Sequence, residues 1–176
     1  SIAMLRLTTL TSILALSATA LFAEEIKVGV SPGEHAEIME EVAKVAAPMG
    51  LDIDVVEFSD YVIPNTALAD GDIQANSFQH VPYLENQMKD RGFDLTVVGN
   101  TITTPMGIYS DKIKDMADLA DGAKVAIPND PTNGGRALLL LQDLGLVTLT
   151  EGTGLVPSPL DVSDNPKNLE FLELDA

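Results

Sequence analysis

A group of aromatic residues between positions 61 and 83 carries the most concentrated chemical signal in the sequence. The chain has five Phe and three Tyr residues, and Tyr61, Phe78 and Tyr83 fall in this stretch beside His80. Aromatic faces with a few polar tips suit a small amphiphilic ligand, which in open α/β sheets binds beyond the carboxyl ends of strands. We therefore predict that these four side chains line a pocket. Plain packing, with Phe78 in a core and His80 in a hydrogen-bonded loop, stays the simpler interpretation.

A second signal is Arg136, which follows a run of small residues. The segment 128–136, PNDPTNGGR, predicts a turn from strand to helix, and free N–H groups at the start of a helix attract an anion. Because the helix dipole disfavours a cation there, we predict that Arg136 is present to bind a carboxylate bidentately. A surface ion pair with Asp130 or a loop carboxylate is the alternative. The Gly134-Gly135 pair lacks the spacing of a phosphate loop.

Catalysis finds little support in the residue types. His35 and His80 are the only histidines, so a histidine-rich metal site is impossible. No hydrolase, zinc-protease or dinucleotide-binding motif is present, and the 27 acidic residues single out no catalytic pair. We predict no catalytic residue, no metal and no cofactor. An enzyme that uses His80 as a general base is the alternative from another functional class.

The charge balance narrows the range of partners. The 176 residues include 27 acidic and 10 basic side chains, for a formal net charge of -17. Nucleic acid and an anionic membrane surface both require a positive face, so neither is an expected partner. The sequence contains no cysteine, which rules out disulfides, thiol nucleophiles and cysteine-ligated metals.

Residues 4–23 have the layout of a secretory signal. Met4 and Arg6 precede a short apolar run with a small-residue exit, and Glu24 ends the pattern. The run is shorter and more polar than a membrane span of ~20 residues. We predict cleavage after Ala23, with Ala20 as the alternative cleavage point, and export to the periplasm or the cell exterior. The alternative to an export signal is an N-terminal helix of the folded protein.

Strand and helix patterns alternate from Glu24 onward. Apolar runs predict strands at 26–30, 53–58, 73–78, 95–98, 124–127 and 169–174, with 101–109 extended. Three-to-four spacing and breaker residues predict helices at 35–47, 64–69, 82–91, 113–119 and 131–144, followed by a loop at 150–168. The alternation predicts an α/β fold with a largely parallel sheet.

A long extended connection near residues 100–110 divides this pattern and predicts two lobes. We assign residues 24–104 to the first α/β lobe and residues 105–176 to the second. The second lobe has few elements for an independent core. We therefore expect the chain to be a fragment whose second lobe is incomplete.

Four segments carry motifs of a known family: Ser31–Ile38, Asp60–Leu68, Gly71–Leu84 and Pro128–Leu138. Of these motifs, the run FQHVPYL at 78–84 is highly specific. Together they resemble the methionine-binding lipoproteins, the NlpA/MetQ-type substrate-binding components of methionine ABC importers. The resemblance covers essentially all of residues 26–175.

This resemblance implies a type II periplasmic-binding-protein fold, in which two α/β lobes close on a ligand. It implies binding of methionine, or alternatively of another small apolar amino acid or a short peptide, for delivery to an inner-membrane ABC permease. The expected protein is a periplasmic monomer and not an enzyme. The implied ligand-binding residues are Tyr61, Phe78, His80 and Tyr83 around the side chain, Arg136 on the carboxylate, and Asn133 from the opposite lobe.

Two features depart from the family's pattern. Its lipoproteins carry a cysteine after the signal, where this chain has Glu24, so we expect a soluble protein without that lipid anchor. Family members are also longer and supply further asparagine ligands downstream. We therefore expect the 176-residue chain alone to bind methionine weakly or not at all.

Overall fold

Parallel strands covered by helices form the first half of the computed structural model, which describes residues 23–176. The elements are β1 (Glu24–Val30), α1 (Glu34–Ala46), β2 (Leu51–Glu57), α2 (Ile63–Asp70), β3 (Ala75–Ser77) and α3 (Val81–Arg91). β1 lies between β2 and β3 and pairs with both in parallel. Gly50, with a φ of 88°, allows the turn that leads into β2, because glycine adopts positive φ without steric cost.

Helix α1 packs on this sheet through one apolar face. Ala36 and Met39 form a buried cluster with Val28 and Val30 of β1, while the glutamates of the helix stay exposed. Burial of an aliphatic side chain contributes about 1.5–3 kcal/mol, so this small cluster fixes the helix on the strand. The carboxyl ends of β1 and β3 are thereby held side by side.

A separate set of strands and one long helix forms the second half. The elements are β4 (Lys124–Pro128), α4 (Pro131–Asp143), β5 (Thr148–Leu149), β6 (Val162–Asp164) and β7 (Glu170–Leu174), with 3-10 turns at Met116–Asp118 and Pro159–Asp161. β4 pairs with β7 in parallel, and β5 pairs with β6 antiparallel. Ile127, Leu138 and Leu141 belong to the buried cluster of this half.

The Gly134-Gly135 pair lets α4 approach its neighbours closely. A Cβ atom at Gly134 would lie 2.7 Å from the Pro128 carbonyl oxygen, and one at Gly135 would lie 2.5 Å from the Leu155 carbonyl oxygen. Both distances are too short for a real side chain. The two glycines therefore serve helix packing, in agreement with the prediction that they form no phosphate loop.

The two halves have distinct sheets and distinct core clusters, and α3 lies against α4. This arrangement is the mixed α/β architecture expected from the sequence. The assignment of residues 24–104 and 105–176 to two lobes stays a prediction.

Several element predictions need correction. The run 95–98 forms no strand, because residues 92–110 have no ladder partner within the described part of the chain. The stretch 73–78 is a strand only in β3, and the helix predicted at 113–119 is only the turn Met116–Asp118, which the Asp115 carboxylate caps. The loop predicted at 150–168 contains β6 and a second turn.

The predicted export signal at 4–23 lies outside the described residues, except for Ala23. Within residues 23–176, no helix is long and apolar enough to cross a membrane. The signal and its cleavage point stay predictions.

Candidate ligand-binding site

One cavity of about 580 Å³ collects every residue that the sequence singled out. Its wall combines the carboxyl ends of β1 and β3, the start of α3, the first turns of α4 and part of the segment 102–107. It is therefore lined from both halves of the chain. The predicted residues on its wall are Tyr61, Phe78, His80, Tyr83, Asn133 and Arg136.

Three rings form a cluster on one side of this cavity. The ring centroids of Tyr61 and Phe78 are 5.9 Å apart, those of Phe78 and Tyr83 are 6.0 Å apart, and those of Tyr61 and Tyr83 are 6.3 Å apart. The two pairs that include Tyr83 meet edge to face, a geometry that the ring quadrupoles favour. Phe78 and Tyr83 are also buried, so these rings pack against one another and line the cavity at the same time. Their role in ligand binding stays a prediction.

Tyr83 anchors this cluster. Its side chain is 3% exposed, and its hydroxyl donates a hydrogen bond of 2.7 Å to the backbone carbonyl of Tyr61. Burial, followed by the negative charges of Asp130 and Asp60, raises the pKa of Tyr83 to about 12. The phenol therefore stays protonated and keeps its hydrogen bond throughout the physiological pH range.

His80 is held by the helix that it caps. Its Nδ1 accepts a hydrogen bond of 3.1 Å from the backbone N–H of Tyr83, at the start of α3. In a neutral imidazole with Nδ1 as acceptor, the proton is on Nε2. The Nε2 atom is therefore the nitrogen that can donate a hydrogen bond to a ligand.

Three side-chain amides form hydrogen bonds with one another, and we call Asn65, Asn76 and Gln79 the amide cluster. Asn65 Oδ1 accepts hydrogen bonds from Asn76 Nδ2 at 2.9 Å and from Gln79 Nε2 at 2.7 Å. Asn65 Nδ2 donates to Gln79 Oε1 at 2.8 Å, and Gln79 Nε2 also reaches Asn76 Oδ1 at 3.1 Å. This cluster has no local signal in the sequence, because Asn65 is 11 and 14 positions from its two partners and all three are common residue types.

Arg136, in α4, lines the same cavity. Its guanidinium donates a hydrogen bond of 2.8 Å to the backbone carbonyl of Thr104, and it makes no ion pair with a carboxylate in residues 23–176. The alternative of a salt bridge with Asp130 is therefore wrong. Because a guanidinium has five N–H donors, further donors remain for a carboxylate ligand.

The first turn of α4 differs from the sequence-based expectation. Asp130 is its N-cap and accepts hydrogen bonds from the Asn133 backbone N–H at 2.8 Å and from the Thr132 hydroxyl at 2.9 Å. The expectation that this helix start offers its free N–H groups to an anion is corrected, since a carboxylate of the chain itself already caps it. The Asn133 side-chain amide also donates to Asp130, at 3.1 Å, which leaves its Oδ1 as an acceptor.

Two further residues of the cavity wall were missed. Ser31 and His35 follow the carboxyl end of β1 and line the same cavity. Ser31 Oγ and His35 Nδ1 are buried atoms without a hydrogen-bond partner in residues 23–176. The rule that ligands bind at the carboxyl ends of strands identifies both positions once β1 is recognised. No group of acidic, histidine or cysteine side chains in that range has the arrangement of a metal site.

Known sequences similar to this chain belong to one protein family. The sequence profile of the NlpA lipoproteins matches residues 26–176. The D-methionine-binding lipoprotein MetQ of Escherichia coli (strain K12) is 56% identical over 152 residues, which are 86% of this chain and 56% of the relative. The chain thus spans a little over half the length of the curated relatives that it matches.

Solved structures also resemble the chain in both fold and sequence. The crystal structure of the methionine binding protein MetQ superposes with a TM-score of 0.84 at 55% identity, over 86% of this chain and 62% of that chain. A nutrient binding protein from Burkholderia cenocepacia, bound to methionine, gives a TM-score of 0.83 at 49% identity, over 86% of this chain and 64% of that one. These likenesses confirm the predicted fold class, that of periplasmic binding proteins. Since the family profile extends from residue 26 to residue 176, the chain belongs to the NlpA lipoprotein family.

Proposed function

We propose that this chain forms the larger part of the ligand site of an ABC-importer substrate-binding protein that captures methionine. The observation that carries this proposal is the shared cavity, whose wall contains three clustered rings, His80 and Arg136. Relatives named as methionine-binding proteins support the choice of ligand.

The chemistry of the wall fits the two ends of the amino acid. A thioether against ring edges gains about 0.3–1.5 kcal/mol per contact, and burial of a methionine-sized chain gains about 1.5–3 kcal/mol. A charge-assisted bond from Arg136 to the carboxylate adds about 1.5–3 kcal/mol. Micromolar affinity requires about 8 kcal/mol after the cost of association. Further polar contacts are therefore needed, and Ser31 Oγ and His35 Nδ1 are unpaired on the same wall.

The alternative of an enzyme with His80 as general base is disfavoured. The Nδ1 atom of this ring already accepts the Tyr83 backbone N–H, and the named relatives are binding proteins. Binding without reaction is the function that these observations support.

Delivery to an inner-membrane permease from the periplasm is part of the same proposal. Ligand contacts from both walls of the cavity would favour a closed arrangement by population shift. The relatives carry the name lipoprotein, while the printed sequence has no cysteine. The soluble, unanchored monomer expected from the sequence stays a prediction.

Isothermal titration of the complete mature protein tests the proposal. The titrants are the twenty amino acids, D-methionine and a short methionine-containing peptide. We expect saturable heat with methionine and a weaker response to other apolar amino acids. No heat with either enantiomer of methionine contradicts the proposal, and a stronger response to another titrant identifies the alternative ligand.

A further inference from the structure

The amide cluster connects the two chain segments that carry the rings. Asn65 belongs to α2, which begins just after Tyr61, whereas Asn76 and Gln79 enclose Phe78 in the chain and Gln79 precedes His80. Hydrogen bonds between Asn65 and the other two amides therefore join the Tyr61 segment to the Phe78–His80 segment.

Most hydrogen-bonding groups of the cluster have a partner. Both N–H groups of Asn76 are used, one on Asn65 Oδ1 and one on the Pro64 carbonyl at 3.2 Å. Both N–H groups of Gln79 are used within the cluster, and all three amide oxygens accept at least one hydrogen bond. Asn65 Nδ2 makes one hydrogen bond. Asn65 is 0% exposed, while Asn76 and Gln79 are half-buried. A polar network with so many internal hydrogen bonds rigidifies its members.

We propose that the amide cluster is a positioning element that holds Tyr61, Phe78 and His80 in their ligand-binding arrangement before a ligand arrives. Asn65 acts only through its neighbours, since it does not line the cavity, while Gln79 lies on the wall. This inference rests on the proposed function of the same cavity. It adds that the ring site is preformed, and that Asn65 and Asn76, which do not line the cavity, contribute to its affinity.

Three variants of the complete mature protein test the inference. Asn65→Leu keeps a similar volume and removes the central amide. Gln79→Asn shortens one partner and separates it from Asn65. The double variant Asn65→Gln with Gln79→Asn exchanges the two lengths and restores an amide-to-amide pair. Met39→Ala is the control, because Met39 is buried in the core of the same half and its loss lowers stability without touching the cluster.

Two readouts are needed, both well below the unfolding temperature. The first is methionine affinity by calorimetry, and the second is the near-ultraviolet circular dichroism of the tyrosines without ligand. We expect Asn65→Leu and Gln79→Asn to lose at least tenfold in affinity and to lose tyrosine dichroism. We expect the double variant to recover most of both, and Met39→Ala to keep both while it unfolds at a lower temperature.

The possible failures can be told apart. Wild-type affinity and dichroism in folded Asn65→Leu overturn the positioning role. Affinity that stays low in the double variant, with normal dichroism, assigns the effect to a direct contact of Gln79 with the ligand and also overturns it. If the wild-type protein shows no methionine heat, the proposed function fails, while the dichroism of the variants still decides whether the cluster positions the rings.

Discussion

The hydroxyl of Tyr83 and the backbone carbonyl of Tyr61 are joined by a hydrogen bond of 2.7 Å. One ring of the cavity wall therefore fixes the backbone that carries another ring. Tyr83 is also at the start of α3, and His80 is the N-cap of that helix. Tyr83 is therefore hydrogen-bonded to both Tyr61 and His80. A change at Tyr83 consequently affects the position of the other two.

Tyr83→Phe should lower the free energy of unfolding by about 1 kcal/mol, the usual net value of one hydrogen bond, because the Tyr61 carbonyl loses its donor. Denaturant unfolding measures this difference. Tyr109→Phe is the matched control, since Tyr109 is 88% exposed, and it should leave stability unchanged. Equal stability of Tyr83→Phe and the wild type would mean that water replaces the phenol at no cost.

Alkaline pH should weaken the folded state through the same phenol. An unfolded tyrosine has a pKa near ~10, whereas the pKa of Tyr83 in the folded chain is raised to about 12. The stabilisation is therefore fully present below pH ~10 and is lost as the pH rises toward ~12, because the unfolded state then binds fewer protons than the folded state. The stability advantage of the wild type over Tyr83→Phe should therefore shrink and then reverse over this range. A constant difference from pH ~9 to ~12 would contradict the raised pKa.

Arg136→Ala should weaken binding of the amino acid at least tenfold, or about 1.4 kcal/mol, because the carboxylate loses its cationic partner. Titration calorimetry on the complete mature protein provides the measurement. Arg91→Ala removes the same charge at an exposed position beside Phe93 and should leave the affinity unchanged. An equal loss of affinity in both variants would show that only the net charge of the protein matters, and not a direct contact of Arg136 with the carboxylate.

Gly135→Ala should destabilise the chain by about 1–3 kcal/mol, the range for overpacking, because its Cβ would lie 2.5 Å from the Leu155 carbonyl oxygen. Gly99→Ala is the control, since a Cβ there meets nothing within 4 Å. Thermal unfolding of both variants separates the steric effect from a general effect of replacing glycine. A Gly135→Ala chain as stable as the Gly99→Ala chain would show that the loop at Leu155 moves aside freely.

Elements with strong local signals were predictable from the sequence. β1, α1 and α4 each combine an apolar pattern with a clear stop, at Gly33, Gly50 and Gly145 respectively. The strand predicted at 95–98 failed because its apolar run says nothing about whether a partner strand is available. Strand pairing is a non-local property, and local sequence does not contain it.

In the candidate site, too, local features could be predicted from the sequence and non-local contacts could not. The rings could be found because they follow strand ends close together in the chain, and the cavity does bring Tyr61, Phe78 and His80 together. The cap of α4 was present in the sequence as Asp130 before Pro131, a common N-cap arrangement, but its consequence for anion binding was misjudged. The amide cluster had no local signal, because hydrogen bonds across 11 and 14 positions arise only from the folded topology.

Asn65, Asn76 and Gln79 carry no ionisable group, so protons and salt leave their mutual bonds unaltered. The rest of the molecule is different, since 27 acidic side chains against 10 basic ones create a field that changes with ionic strength and acidity. Acidity and ionic strength therefore act on the candidate site through its ionisable residues and not through the amide cluster.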